Sequence, residues 1–337
     1  MKKRHIRIKD IAEMLNISVS TVSRALRDAY DVSPETREKV LKVVEQLKYK
    51  PNLNAAALAS GNTRNIGVII PFITNYYFST VISGIQEVAY NNGFNIILLI
   101  TNDSAERELS MIRSLSVTSL DGLLISISSD SVGSHHFREL ADDGIPMVFF
   151  DRVPDDIEAT KVLQDDFDGA FKATEHLIAN GYTRIAHLAG PAHLSFTQNR
   201  LQGYLEALKK YAVPVRDEWI IHSGFSMQSG KEDIGRLLEC DQMPDAVFAV
   251  NDRKAVGAII ALKERRIRVG KEIGVVGFTN DPIATIIEPS LTTIEEPAFD
   301  IGKKSCELLI RHITNKLFLP KEIILAGTLI VRDSSKK

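Results

Sequence analysis

The 337-residue sequence contains only two cysteines, Cys240 and Cys306, 66 positions apart in segments with helical patterns. A disulfide framework and a cysteine-based metal site are therefore excluded. No apolar run approaches the roughly 18 residues of a membrane-spanning helix. The basic start MKKRH leads into a polar amphipathic segment rather than the apolar core of a signal peptide. We therefore expect a cytoplasmic protein without membrane contact.

Motifs of catalysis are also missing. The sequence has no G-x-x-x-x-G-K-[ST] loop, no G-x-G-x-x-G fingerprint and no H-E-x-x-H pair. His135 and His136 are adjacent, so on a helix they diverge by about 100° and make a poor metal pair. Asp165, Asp166 and Asp168 precede a helix, where carboxylates stabilise the N-terminal dipole, and we interpret them as capping residues. We expect no enzyme, no cofactor and no metal.

Charge is unevenly distributed along the chain, although its net value at pH 7 is only −2. Residues 1–64 carry 13 Lys and Arg against 7 Asp and Glu, a net of +6, and the remainder carries 28 against 36, a net of −8. With roughly 100 to 200 residues per domain, the length allows two or three domains. A basic head on an acidic body indicates a nucleic-acid-binding domain joined to a domain of another kind.

The segment RIKDIAEMLNISVSTVSRALRD, residues 7–28, predicts two short helices. Apolar residues recur at helical spacing up to Asn16, and Ser18 suits the N-cap of the second helix. One face of that second helix is apolar, with Val22, Ala25 and Leu26. The opposite face is polar and cationic, with Ser20, Arg24 and Arg27.

A third helix is predicted from SPETREKV, with Ser33 as its cap and Pro34 at the first helical position, which needs no N–H donor. Its apolar stripe predicts a small core shared by the three helices, and consists of Val40, Val44 and Leu47 with Leu41 beside them. Such a helix pair, with exposed Ser and Arg near the N-terminus of its second helix, places side chains against base edges in a major groove. The head is therefore predicted to be an all-α helix-turn-helix domain, although a plain three-helix bundle with a solvated charged face has the same pattern.

The motifs IKDIAEMLNISVSTVSRAL and VSPETREKVLKVVEQLKYKPN closely resemble the head of lactose repressor (LacI/GalR) family regulators, and the resemblance continues to the C-terminus. It implies that Val19 and Ser20 read bases, joined by Arg24. It also implies phosphate contacts from Ser18, Thr21 and Ser23. Val19 has two interpretations, a contact with a thymine methyl group or a place at the edge of the small core.

The segment PNLNAAALASGNTRN, residues 51–65, separates the head from the first strand of the body. Its alanines favour a helix, but 51–61 is shorter than the roughly 12 to 15 residues that an isolated helix needs. An inert helical spacer is one interpretation. The family resemblance implies the other, paired hinge helices in the minor groove with Leu58 wedged between base steps and Asn52 among the contacts. Ala56 stands where many members carry Arg.

From Ile66 onward, short β-rich runs alternate with helix-length segments. Eight strands are predicted, IGVII, NIILLI, GLLISI and PMVFF before a break at RVPDDIEATK, then RIAHLA, WIIH, AVFAV and GVVGF. Such alternation indicates parallel sheets covered by helices on both faces. The body is therefore predicted to be an α/β domain with two lobes, lobe 1 about 65–162 plus 292–322 and lobe 2 about 163–291 plus 323–333.

Ligands of parallel sheets bind beyond the carboxyl ends of the strands. The segments at these ends combine aromatic rings with Arg, Asp and Asn: Phe72 with TNYYF, Asp151, the loop 190–200, Phe225, Asn251 with Asp252, and TND after Phe278. This mixture suits a polar small molecule such as a sugar, because rings stack on its faces and charged groups bind its hydroxyls.

The body also resembles the periplasmic-binding-protein-type sensor of the same family. The resemblance implies an effector cleft lined by Tyr77, Phe78, Asp151, Arg200, Phe225 and Asn251. Thr279 is the main departure, because GFTND stands where many members have Asp directly after GF. Leu194 and Phe196 occupy places where a purine-binding member uses polar groups, which disfavours a nucleobase. The strand-end rule adds Phe72, Asp252 and Thr279 to the predicted effector site.

We therefore expect a head at 1–50, a hinge at 51–64 and an effector-binding and dimerisation body at 65–337. The predicted function is transcription regulation, with repression as the default: a homodimer binds a pseudo-palindromic double-stranded DNA operator. A small effector of carbohydrate type controls that binding. The C-terminal LIVRDSSKK has no leucine heptads, which favours a dimer over a tetramer. The alternatives are a non-sugar effector, a protein co-regulator or a ligand-independent DNA binder, whereas an exported sugar-binding protein disagrees with residues 1–60.

Overall fold

Two units divide the chain, Met1–Thr63 and Arg64–Lys337. The structure, a computed structural model, describes residues 6–26, 31–49, 63–114, 120–131, 133–154, 156–315 and 317–337. Within those ranges, no helix is both long and apolar enough to span a membrane.

Three helices form the described part of the first unit: α1 Ile8–Leu15, α2 Val19–Leu26 and α3 Pro34–Gln46. The predicted caps are confirmed, because Ser18 Oγ accepts a hydrogen bond from the backbone N–H of Thr21 (3.0 Å) and Ser33 Oγ accepts one from that of Thr36 (3.3 Å). Helix α1 ends at Asn16, whose φ of 52° is left-handed. The predicted apolar faces meet in one small core of Ile11, Ala12, Val22, Ala25 and Val40.

The second unit contains two six-stranded sheets, one in each lobe. The lobe 1 strands are β1 Asn65–Ile70, β2 Asn95–Ile100, β3 Gly122–Ile125, β4 Met147–Phe150, β5 Thr160–Gln164 and β11 Glu322–Leu325. The lobe 2 strands are β6 Ile185–Ala189, β7 Ile220–His222, β8 Ala246–Ala249, β9 Gly274–Thr279, β10 Thr292–Glu295 and β12 Thr328–Ile330. The strand orders are β11-β5-β4-β3-β1-β2 and β12-β10-β9-β8-β6-β7. Paired neighbours are parallel except β12, which is antiparallel to β10.

Helices cover both sheets, as strand-helix alternation predicts. Lobe 1 has α4 Tyr76–Asn91, α5 Ala105–Ser114, α6 His135–Asp142 and α12 Ala298–Thr314. Lobe 2 has α7 Asp166–Ala179, α8 Ser195–Lys210, α9 Met227–Leu238, α10 Asp252–Glu264 and the short α11 Ile283–Ile286. Single turns of 3-10 helix occur at Asp217–Trp219 and Asp333–Ser335.

The chain passes between the two sheets after β5, between β10 and α12, and between β11 and β12. Two of the predicted lobe boundaries differ from these crossings. The boundary at residue 292 assigns β10 to lobe 1, but β10 pairs with β9 in lobe 2. The boundary at residue 323 assigns most of β11 to lobe 2, but β11 pairs with β5 in lobe 1. Both errors have the same cause. Strand pairing determines to which lobe a strand belongs, and the hydropathy pattern does not reveal β10 or β11 as strands.

All eight predicted strands are present, and four further strands complete the sheets: β5, β10, β11 and β12. Their sequences, TKVLQ, TTIE, EIIL and TLI, are short and mix polar with apolar residues. Such patterns do not distinguish a strand from a loop. Pairing with neighbouring strands makes these segments part of the sheets.

A buried ion pair joins α9 to α10. The two helices lie close together because Gly230 and Gly257 lack side chains, and a Cβ on either residue would overlap the backbone of the other helix. Lys254 Nζ lies 2.9 Å from Asp233 Oδ2 and donates to Ser223 Oγ (2.8 Å) and to the carbonyl that ends β6. Burial lowers the pKa of Lys254, whereas Asp233 acts in the opposite direction. The pair fixes the start of α10 against the ends of β6 and β7, which lead into the loops of the predicted cleft.

Replacing Lys254 by Met should lower the free energy of unfolding by about 3 to 5 kcal/mol, because it leaves the carboxylate of Asp233 buried without a counter-ion. Urea unfolding of the full chain measures this loss. The control is Lys231→Met between the same two helices, where the exposed Lys231–Glu264 pair (2.9 Å) contributes at most about 1 kcal/mol. The double variant Lys254→Met/Asp233→Leu should regain part of the stability. If Lys254→Met and Lys231→Met lower the free energy of unfolding equally, the buried pair does not have this role.

Candidate functional site

The predicted DNA-reading residues lie on the exposed side of α2. Val19 is 43% exposed, which places it outside the small core. Ser20 is also exposed, and Arg24 Nη1 lies 2.6 Å from Asp31 Oδ2 in an exposed ion pair. Side chains of this kind on one helix face fit hydrogen-bond acceptors and methyl groups in a major groove.

The predicted phosphate-contacting residues begin at the cap of the same helix. Ser18 Oγ lies 2.7 Å from Ser20 Oγ and 2.8 Å from Thr21 Oγ1, so three hydroxyl groups cluster around the N-terminus of α2. Ser23 lies one turn further along the helix. The N-terminus of a helix attracts anions, and hydroxyl groups there donate to phosphate oxygens. The predicted hinge contacts Asn52 and Leu58 lie outside the described residues, as does Arg27.

A cavity of about 320 Å³ lies between the two lobes of the body. It brings together eight of the nine residues predicted to bind the effector: Phe72, Tyr77, Phe78, Asp151, Arg200, Phe225, Asn251 and Thr279. Its other lining residues are Thr74, Asn75, Arg152, Phe196, Ser226, Arg253 and Glu296. The size lies at the lower end of the range for small-molecule sites, and the lining combines aromatic rings with polar groups.

Asp252 is the predicted residue that does not line this cavity. Its carboxylate is buried and accepts hydrogen bonds from the hydroxyl of Thr293 (2.6 Å) and the backbone N–H of Asp281 (2.8 Å). Burial raises its pKa to about 7. Asp252 therefore orders the loop that follows β9, and its place directly after a strand end does not make it a contact residue.

Arg200 is the most extensively bonded residue of the cavity wall. Its Nε donates to Asp166 Oδ1 (2.7 Å), its Nη1 to the carbonyl of Val250 (2.6 Å) and its Nη2 to Glu296 Oε1 (2.8 Å). The guanidinium carbon lies 3.6 Å from the ring centroid of Phe278, so the group also stacks on an aromatic face. The residue is only 4% exposed, and these contacts fix the guanidinium in one orientation.

Asp166 corrects the capping interpretation of the QDDFDG segment. Asp165 caps α7, because its Oδ1 accepts from the backbone N–H of Asp168 (2.9 Å). Asp168 lies 2.6 Å from the ammonium group of Lys172. Asp166 instead points inward and pairs with Arg200. The interpretation is thus confirmed for Asp165 and wrong for Asp166, since the buried guanidinium offers a stronger partner than the helix terminus.

Glu296 is the most important site residue that the sequence does not predict. It directly follows β10, a strand missing from the prediction, so the strand-end rule had no strand to apply to. Its side chain is 5% exposed, and burial raises its pKa to about 7 in spite of Arg200. Burial likewise raises the pKa of Asp151 to about 6, with Arg152 acting in the opposite direction.

Thr279 has an unusual backbone for a β-branched residue, with φ at 125°. Such a conformation costs on the order of 1 to 3 kcal/mol and concentrates at functional sites. Thr279 and Glu296 both line the cavity, and the Thr279 side chain acts against burial by lowering the pKa of Glu296. Thr279, the residue after GF, therefore contributes a hydroxyl group to the cavity. Glu296, at the end of the neighbouring strand β10, contributes the carboxyl group.

Contacts bridge the lobes around the cavity. Arg253 Nη2 of lobe 2 donates to the carbonyl of Thr74 of lobe 1 (3.0 Å). His193 Nε2 of lobe 2 donates to the carbonyl of Ser129 of lobe 1 (2.8 Å). The guanidinium of Arg152 lies 5.9 Å from the ring centroids of both Phe196 and Phe225 across the cleft. Residues of both lobes therefore line the cavity and are in contact with each other around it.

Two family descriptions match the chain. Residues 7–52 match "Bacterial regulatory proteins, lacI family", and residues 63–327 match "Periplasmic binding proteins and sugar binding domain of LacI family". The chain belongs to the LacI family. It is accordingly a DNA-binding transcriptional repressor with an effector-binding domain, and members of this family are repressors rather than enzymes.

Similar proteins cover the whole chain. The transcriptional repressor PurR of Vibrio vulnificus is 33% identical over 332 residues, 98% of each chain. Catabolite control protein A of Priestia megaterium is 31% identical over 333 residues, 98% of this chain and 100% of that protein. Among solved structures, the Lac repressor dimer bound to operator and the anti-inducer ONPF has a TM-score of 0.86 at 26% identity, with 98% and 99% coverage. The CelR-cellobiose complex has a TM-score of 0.73 at 26% identity with the same coverage.

The raised pKa values make stability depend on pH. A carboxyl group with a higher pKa in the folded than in the unfolded chain stabilises the fold at low pH and loses that contribution as pH rises through the folded value. For Glu296 the pKa rises from 4.5 to about 7, so its contribution begins to be lost near pH 4.5 and is gone once the pH has risen about one unit past 7. Buried His187, whose pKa is lowered to about 3, acts in the opposite sense below its ordinary value. A comparison of variants is therefore needed to isolate Glu296.

Glu296→Gln removes the ionisable group and retains most of its shape. Relative to the wild-type chain, this variant should gain on the order of 2 to 3 kcal/mol of stability between pH 5 and pH 8, because the wild-type chain alone loses the contribution. Thermal unfolding across this range measures the difference. The control is Glu295→Gln, whose exposed side chain accepts from Asn280 (2.9 Å) and which should not show the trend. A difference that does not change with pH contradicts the assignment.

Proposed function

We propose that the chain acts as a homodimer whose two heads bind the half-sites of a pseudo-palindromic operator, and that a sugar or sugar derivative in the interlobe cavity sets its affinity for this DNA. The proposal of a bound effector rests on the cavity itself, which is lined by both lobes and combines aromatic with polar groups. The two-fold symmetry of a homodimer requires a matching two-fold symmetry in the DNA operator that it binds.

The sugar class is supported by the arrangement of rings and polar groups. Phe72, Phe196 and Phe225 present apolar rings to the cavity. Asn251 uses its Oδ1 to cap α10 by accepting from the backbone N–H of Lys254 (2.8 Å), so its amide group is held in place at the cavity wall. Two similar structures hold sugars, the CelR-cellobiose complex and an Enterococcus faecium LacI-family regulator with bound ribose, which has a TM-score of 0.70 at 28% identity.

On the DNA side, we propose that Val19, Ser20 and Arg24 contact bases and that the hydroxyl groups of Ser18, Thr21 and Ser23 contact phosphates. Arg24 must then exchange Asp31 for a base. Exposed ion pairs contribute little, typically about 0 to 1 kcal/mol, so this exchange costs little. In the hinge, we propose Asn52 and Leu58 as minor-groove contacts, with Leu58 as the wedge that kinks the duplex.

Control of DNA binding by the effector requires two arrangements of the lobes. The contact Arg253–Thr74 joins two residues that line the cavity, so a ligand there competes with it or strengthens it. A ligand shifts such an equilibrium only by its difference in affinity for the two arrangements. Couplings of this kind are typically about 1 to 3 kcal/mol.

A thermal-shift panel tests the effector class on the full chain with monosaccharides, disaccharides, sugar phosphates, nucleosides and uronic acids. A selective ligand at 100 times its dissociation constant should add about 2.7 kcal/mol to the stability. The control is Phe225→Ala, which removes one ring of the cavity and should reduce the shift. A selective shift from a nucleoside, with none from any sugar, would replace the sugar class.

Arg24→Ala should remove about 1 to 3 kcal/mol of discrimination between the preferred and a substituted base pair, because the paired donors of the guanidinium are lost. Operator DNA selected from a random pool and its single-base variants provide the measurement. Arg24→Lys is the matched control, since it retains the charge and loses the fork of donors, and it should retain non-specific affinity without the discrimination. Unchanged discrimination in both variants rules out base reading by Arg24.

A further inference from the structure

The cations of the cavity wall already have carboxylate partners. Arg152 Nη1 lies 2.6 Å from Asp103 Oδ1. Arg253 Nε lies 3.9 Å from Asp281 Oδ2. Arg200 is bound by two carboxylates, as described above. Arg253 is exposed, and its Nη2 donates to the carbonyl of Thr74 rather than to a carboxylate. An anionic ligand would have to displace a carboxylate from Arg152 or Arg200, and the anion gains little from such an exchange.

The acids of the wall are less well neutralised. The carboxylate of Asp151 accepts from Ser126 Oγ at 3.2 Å, and its nearest cation, Arg152 Nε at 4.0 Å, is already paired with Asp103. Glu296 shares the single charge of Arg200 with Asp166. The Glu296 side chain is 5% exposed, so water screens its charge little. The uncompensated charge of the cavity is therefore negative.

The charged groups around this region are few. Asp151, Asp166 and Glu296 interact with the guanidinium groups of Arg152 and Arg200, whereas the third arginine of the wall, Arg253, is exposed. Mutual repulsion of the three carboxylates adds to burial in raising the pKa of Asp151 to about 6 and that of Glu296 to about 7. Near neutral pH the region therefore attracts positive charge, either as a proton or as a group of a ligand.

We propose, on the basis of the sugar-type effector inferred above, that Asp151 and Glu296 form an acidic pole that selects an effector with a protonated amino group, of the amino-sugar class. The aromatic rings of Phe72, Phe196 and Phe225 contact the sugar ring, and the acidic pole accepts hydrogen bonds from the ammonium group. Uronic acids and sugar phosphates are rejected, because their charge has the same sign as that of the acidic pole.

The test uses matched ligands on the full chain at pH 7, measured by isothermal titration calorimetry. One series is glucosamine, glucose, N-acetylglucosamine and glucuronate, and the second is the corresponding galactose series. N-acetylation removes the charge at the same position, which makes it the control ligand. The amine should bind roughly 10- to 100-fold more tightly than the neutral and acetylated sugars, as expected for a charge-assisted hydrogen bond, and the uronate more weakly than either.

Variants assign the preference to the acidic pole. Glu296→Gln and Asp151→Asn should each reduce the preference for the amine over the neutral sugar by roughly tenfold or more. Glu295→Gln is the matched control, because it makes the same change at the next position, and its side chain is exposed outside the cavity. An amine preference that survives both acidic-pole variants overturns the proposal.

The outcomes separate this inference from the proposed function. Tighter binding of a neutral or acidic sugar than of its amine overturns the acidic pole and leaves the sugar-type effector in place. Failure of every sugar in both series to bind overturns the acidic pole, and the sugar class is overturned as well if no sugar of the thermal-shift panel binds. Neither result affects the proposed DNA contacts of α2, which are tested separately.

Discussion

The arrangement of the cavity between the lobes depends on one guanidinium group. Arg200 binds Asp166 at the start of α7, the carbonyl of Val250 after β8 and Glu296 in the crossover that leads from β10 to lobe 1. A single buried side chain therefore ties the lobe 2 wall of the cavity to a connection between the lobes. Because buried charges are stable only with their partners in place, a ligand that alters Arg200 or Glu296 also alters this connection.

Much of the fold is predictable from the sequence because its elements have strong local patterns. Capping residues such as Ser18 and Ser33 and the alternation of apolar strands with helices are properties of consecutive residues. The assignment of β10 and β11 to their lobes is not predictable in this way. Their sequences, TTIE and EIIL, become strands through pairing with residues far away in the chain, and hydropathy records only nearby neighbours.

The residues that line the cavity are predictable where they directly follow the carboxyl ends of predicted strands. Eight of nine predicted residues line the cavity, since the carboxyl ends of parallel strands converge. The rule fails for Asp252, whose carboxylate turns to Thr293 and Asp281, because position does not determine side-chain direction. It also misses Glu296, since the strand before it is not predicted. The capping interpretation, which rests on the helix start, fails for Asp166 because its partner Arg200 is 34 residues away in the sequence.

We propose that occupancy of the cavity and binding of DNA are coupled. The most direct test of this coupling is the affinity of the full chain for a selected operator, measured with and without a saturating ligand of the cavity, together with the affinity for that ligand with and without saturating operator. Both affinities should change by the same factor, typically about 5- to 150-fold, because coupling is reciprocal. An operator affinity that stays constant while the cavity is fully occupied contradicts it.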